Sequence, residues 1–92
     1  MTIAEFRISR PDELDGPLLA LWWDDQGDWE KAHEVAQDVD NVNGAWVHAY
    51  LHRKEGDQSN ASYWYHRAGR SAAKGDFDAE WQQIVAELLA RR

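Results

Sequence analysis

Apolar positions along this chain come in blocks divided by Gly-Asp or Asn-rich breaks, and inside most blocks they follow helical spacing. After Gly16-Pro17, where proline suits the first turn of a helix, a dense apolar run from Leu18 to Asp25 ends at Gly27. Asp28 can then cap a second helix. In it Trp29, Ala32, Val35, Ala36 and Val39 fall on one face at about 100° per residue. The Asp40-Asn-Val-Asn-Gly44 stretch has the composition of a loop. A third helix is expected from Ala45 to Glu55, broken at Gly56, and a fourth from Gln58 to Ala68, capped by Asp57 and stopped at Gly69. Arg70 to Gly75 is small, polar and aperiodic, which predicts a loop. Asp76 opens a last helix whose inner stripe is Trp81, Ile84, Val85 and Leu88. Asp78 and Glu80 near its start and Arg91-Arg92 at its end suit the helix dipole. Before Gly16 the pattern is mixed: Ile3, Phe6 and Ile8 lead into the turn-forming Ser9-Arg-Pro-Asp12, and no single element follows from it.

Two of the breaks are copies of one another. Gly27-Asp28 and Gly56-Asp57 stand 29 residues apart (56 − 27), and each Gly is followed five residues later by an alanine, Ala32 and Ala61. This predicts a single all-α domain over residues 1–92: an N-terminal segment 1–16, two helix-turn-helix repeats over 17–69 in a short right-handed stack, and a capping helix over 76–91. Ala32, Ala49 and Ala61 are expected at close helix crossings.

The phrases Ala20…Gly27-Asp-Trp-Glu-Lys-Ala32…Ala36…Val39 and Ala49…Gly56-Asp-Gln-Ser-Asn-Ala61…Tyr65…Ala68 resemble the tetratricopeptide and Sel-like helical repeats. The ending Trp64-Tyr-His-Arg-Ala68 is similar to the Sel-like variety. The resemblance covers roughly 17–69, although the period is shorter than usual and the customary proline between repeats is missing. It implies a concave groove for peptides, lined here by Trp46, Tyr50, Arg53 and Lys54. It also implies that His48 and His52 occupy positions where those families carry a leucine and a large aromatic packed on the second helix. The run Trp46-Val-His48…His52-Arg53…Glu55…Asn60-Ala61…Tyr63-Trp64 further resembles small microbial proteins of uncharacterised role. That group carries no activity to transfer.

Composition narrows the function classes. A chain of 92 residues supports one core, and six tryptophans, each removing roughly 150–250 Å² from water when buried, offset a modest aliphatic supply. Seventeen acids against ten bases give a net charge of −7, so binding to a phosphate backbone is not expected. The absence of cysteine excludes disulfides, thiolate metal sites and thiol catalysis. No apolar run approaches the length of a membrane span, and the first residues do not look like an export signal. The expectation is a soluble cytoplasmic protein.

The chemistry-bearing residues gather on the third helix. His48, His52 and Glu55 lie within a stripe about 60° wide. Two imidazoles at i and i+4 can share a metal ion, with Glu55 as an oxygen donor. His33, with Gln37 one turn on, lies at the edge of the apolar face of the preceding helix. Convergence of His33, His48 and His52 would make a divalent-metal or small-ligand site, with Gln37, Arg53 and Glu55 in support. The plain alternative is that each imidazole is an ordinary hydrogen-bonded residue. The metalloprotease pattern is not present, because Ala49 follows His48, and no nucleophile elbow, phosphate loop or dinucleotide fingerprint appears.

The leading expectation is therefore a non-enzymatic protein- or peptide-binding module without a cofactor. The alternative is the three-histidine site. Trp22-Trp23 cannot both face one core layer, so one is expected at an edge, where it could join two copies of the chain. Arg67 is expected on Tyr63 or Trp64, and His66 points to solvent.

Overall fold

A computed structural model describes residues 1–91; Arg92, expected beside Arg91 at the end of the last helix, lies outside them. The chain is all-α, with no strand among the described residues: α1 (Ile3–Arg7), a 3-10 turn (Pro11–Glu13), α2 (Gly16–Asp25), α3 (Trp29–Gln37), α4 (Val42–Glu55), α5 (Gln58–Ala68) and α6 (Phe77–Ala90). No helix is long and apolar enough to cross a membrane.

The first segment, undecided by its pattern, forms a short helix whose N-terminus is capped. Thr2 Oγ1 accepts from Glu5 N at 3.1 Å and Thr2 N donates to Glu5 Oε1 at 2.8 Å, a reciprocal capping box. That helix turns Phe6 inward against Trp81, with ring centroids 5.9 Å apart, and leaves Ile8 84% exposed.

The two Gly-Asp turns close identically. Gly27 and Gly56 adopt φ of 84° and 96°, a region that side chains disfavour, and the following Asp N–H reaches back to the Trp23 and His52 carbonyls at 3.0 and 2.9 Å. Asp28 and Asp57 then cap α3 and α5 through Lys31 N and Asn60 N. One residue pair thus ends a helix and begins its neighbour, which packs α2 on α3 and α4 on α5.

α4 starts three residues earlier than the loop-like composition of 40–44 predicts. Asn41 accepts from Gly44 N at 2.9 Å and so acts as the N-cap, taking Val42, Asn43 and Gly44 into the helix. Gly44 is required there by contact. A Cβ would lie 2.1 Å from the Val39 carbonyl oxygen.

α4 is also the buried centre of the fold. Every residue from Gly44 to Arg53 is buried, because α2, α3, α5 and α6 all pack on it. A helix enclosed all round has no single apolar stripe, and polar side chains on it must find partners inside the protein. Ala32, Ala49 and Ala61 are at most 1% exposed. Trp29 Nε1 donates to the Leu51 carbonyl at 2.8 Å and Trp81 Nε1 to the Leu21 carbonyl at 2.9 Å, so two of the large rings also tie helix to helix.

Candidate functional site

α4 projects His48 and His52 one turn apart, and their rings stack with centroids 4.8 Å apart and planes 18° apart. α3 brings His33 across the helix interface. Its Nε2 lies 3.0 Å from His48 Nε2, and its ring centre is 5.1 Å from that of His52. Trp29, one turn before His33, stacks on it at 5.0 Å and 10°. Trp64 of α5 covers the other face of His48 at 4.0 Å and 13°, and the Arg67 guanidinium sits 5.2 Å from the Trp64 ring. Indole rings thus wall the imidazoles on two sides and restrict water around them.

Burial decides the charge state. Desolvation first, and then the neighbouring His33 and His52, push His48 down to about 4. Desolvation and His52 also lower His33, against an opposing pull from Glu55. Both rings are neutral near pH 7, the form that coordinates metal. His52 is held differently: its Nδ1 lies 2.9 Å from Glu55 Oε2, which leaves Nε2 without a partner among the described residues. A carboxylate on the far nitrogen is the usual means of fixing the tautomer and aim of a ligating imidazole.

One nitrogen from each of His33, His48 and His52 lies within 4.8 Å of the others. Tetrahedral coordination at about 2.05 Å places nitrogen ligands about 3.3 Å apart, so closure needs side-chain adjustments of about an ångström. A second grouping, His52, Glu55 and Asp57, meets the same distance criterion. Its Asp57 is already committed, accepting from Asn60 N at 3.2 Å and from Asn60 Nδ2 at 2.9 Å. That grouping is helix-cap chemistry.

Of the residues expected at a ligand site, His33, His48, His52 and Glu55 meet. Gln37 lines a neighbouring cavity of about 480 Å³ together with His48, Trp64 and Arg67. Arg53 is a correction: it points the other way, donating to Glu80 Oε1 at 2.9 Å and to the Gly75 carbonyl, with its guanidinium over Phe77.

The expected peptide groove is a correction too, because the protein's own chain fills it. Trp46 is 3% exposed, with Arg70 stacked 3.3 Å from its ring, and Tyr50 is 1% exposed and bonded to Asp24. Lys54 is committed to Asp24 at 2.9 Å. α6 and the 70–76 loop supply Glu80, Phe77, Gly75 and Arg70, which cover Trp46, Tyr50 and Arg53, while Lys54 stays exposed beside Tyr50. Trp22 and Trp23 are both half-buried and meet edge to face at 5.0 Å. His66 is exposed and Arg67 contacts both Tyr63 and Trp64.

The sequence places Trp29 and Trp64 on apolar helix faces, with Trp64 also a platform for Arg67. Their part in walling the imidazoles was detectable for Trp29, which stands four residues before His33. For Trp64 it depends on how α5 packs across α4. In comparisons with protein-family models, curated proteins and solved structures, nothing matches this chain.

Proposed function

We propose that this protein binds a divalent transition-metal ion of the zinc, nickel or copper class through His33, His48 and His52. The observation that supports it most is the convergence of three imidazoles from two helices, with the Nε2 atoms of His33 and His48 in contact and His52 braced by Glu55. An all-imidazole set selects these ions over magnesium or calcium, which prefer oxygen. Three protein ligands leave one position of a tetrahedral ion for water or a further ligand.

The packing leaves nitrogens available to an ion, since the unpartnered ones keep contact with solvent. Three buried or half-buried imidazoles offer six nitrogens. Only three of these nitrogens have a hydrogen-bond partner among the described residues: His33 Nε2 and His48 Nε2 with each other, and His52 Nδ1 with Glu55. An ion uses the free nitrogen of His52 and relieves the Nε2 pair of sharing one proton.

The test uses protein purified without an affinity tag, stripped with EDTA and dialysed against zinc or cobalt. One ion per chain is expected, with a cobalt d–d spectrum of tetrahedral intensity. Saturation to about 100 times Kd should stabilise the fold by about 2.7 kcal/mol. His48→Ala and His52→Ala should each abolish uptake, while Glu55→Gln weakens it about 10- to 100-fold. Absence of both stoichiometric uptake and a thermal shift in the wild-type chain rejects the reading.

A further inference from the structure

The cavity beside the imidazoles has a lining that metal binding does not use. It lies between the α3–α4 loop, the first turn of α4 and α5. Asp40 and Arg67 face it with opposite charges, and Gln37, Asn41, Trp64 and His48 supply amides and rings. Its volume of about 480 Å³ is within the range of small-molecule sites.

Asp40 and Arg67 share this space without closing an ion pair among the described residues. The pKa of Arg67 is raised mainly by its hydrogen bond to the Tyr63 hydroxyl at 3.2 Å, and to a smaller extent by the charge of Asp40. At the same wall α4 begins. Asn41 occupies the amides of Gly44 and Ala45, and the amides of Val42 and Asn43 have no acceptor among the described residues. A helix start by itself is only a favourable place for an anion. A second observation is His48: the residue is 6% exposed and lines the cavity, and with Nε2 on His33 its Nδ1 has no partner among the described residues and keeps contact with solvent.

We infer that this cavity binds a free α-amino acid, carboxylate on Arg67 and the first turn of α4, ammonium on Asp40. A simple anion meets Asp40 and a simple cation meets Arg67, so each carries an unfavourable contact that a zwitterion converts into a second favourable one. His48 Nδ1 supplies a further polar contact. Val42, 60% exposed at the rim, gives an aliphatic side chain an apolar neighbour and favours leucine-like over acidic amino acids.

The experiment is an NMR titration of EDTA-treated protein with leucine, using 4-methylpentanoate (no ammonium) and isopentylamine (no carboxylate) as single-charge analogues. Leucine should move the Val42 and Asn43 amides and the His48 ring. Each analogue should bind at least about 10-fold more weakly, as should leucine on Arg67→Gln and on Asp40→Asn. Unchanged remaining amide spectra establish that these surface variants are folded. If neither leucine nor any other of the twenty amino acids perturbs those signals at about 10 mM, the inference is overturned. It is equally overturned if the carboxylate analogue binds as tightly as leucine. Because no metal is present, amino-acid binding without zinc uptake sustains this inference and rejects the metal reading, and zinc uptake without amino-acid binding does the reverse.

Discussion

On one side of α4, Tyr50 donates to Asp24 Oδ2 at 2.6 Å, Lys54 reaches Asp24 Oδ1 at 2.9 Å, and Arg53 meets Glu80 Oε1 at 2.9 Å. Tyr65 takes the second oxygen of Glu80 and Gly75 the second arm of Arg53. On the opposite side, His48 and His52 meet His33 with nitrogens left over. The residues of both faces are largely buried, but the unpartnered imidazole nitrogens keep contact with solvent, whereas the groups of the first face are bonded to one another. Buried polar groups stay buried because partners offset their desolvation. A saturated network fixes the packing of α2, α5 and α6 around α4. A solvent-reached one, flanked by Trp29 and Trp64, leaves nitrogens free to meet a further species. The first face therefore answers to stability measurements and the second to ligand measurements.

The largest effect is expected on the saturated side. Glu80→Ala removes the partner of a guanidinium that is 7% exposed and of the Tyr65 hydroxyl. Leaving a buried charge uncompensated should cost about 3–5 kcal/mol in urea denaturation, a large share of a small domain's stability. Combining Glu80→Leu with Arg53→Met and Tyr65→Phe should recover most of it, because the whole network is then replaced by apolar contacts. A single variant that loses less than about 1 kcal/mol would erase the contrast between the two faces.

Next in size is Gly44→Ala. A methyl group 2.1 Å from a backbone oxygen cannot be absorbed by a rotamer change, so the 38–41 loop must shift. Alanine's helix preference offsets part of the strain, and a net loss of about 1–3 kcal/mol is expected. The same shift moves Asp40 and Asn41, so amino-acid binding should weaken while zinc uptake by the three imidazoles persists. Equal loss of both would mean that the cavity and the metal ligands behave as one unit.

These contacts also explain what could and could not be read from the sequence. Although α3 stops at Gln37, short of the Val39 that its apolar stripe includes, most helix ends from Gly27 onward follow from Gly27, Asp28, Gly56, Asp57, Gly69 and Asp76, which act within a few residues of themselves. The stripe of His48, His52 and Glu55 was legible for the same reason. Where α4 begins was not, since Asn41 caps only once Gly44 can approach Val39, a contact between two elements. The groove failed for a similar cause. Trp46, Tyr50 and Arg53 have the residue types of a binding surface, but Arg70, Phe77 and Glu80 lie far along the chain and reach them only through the fold. Leu14, 6% exposed, and Phe6, fully buried, show the N-terminal segment joining a core that its own pattern did not announce.

The last effect belongs to the imidazole side, in its metal-free form. His48 is held down to about 4, whereas a free imidazole titrates near 6.5, so between these values the unfolded chain binds more protons than the folded one. Stability from a neutral His48 is therefore complete above about pH 6.5, falls as the pH drops through that window, and loses nothing more below about pH 4. His33 shifts in the same direction. Glu55 faces His52 from the same helix and opposes the shift of His33, so it softens the fall without reversing it. Carboxylates elsewhere titrate in the same range, and a difference measurement removes them: urea denaturation of wild type and His48→Gln in EDTA at several pH values from 7 to 4. The wild-type advantage should shrink steadily toward acid. A difference that stays constant across the window would mean that His48 is hydrated well enough to protonate in place, and the enclosure by Trp64 would then count for little.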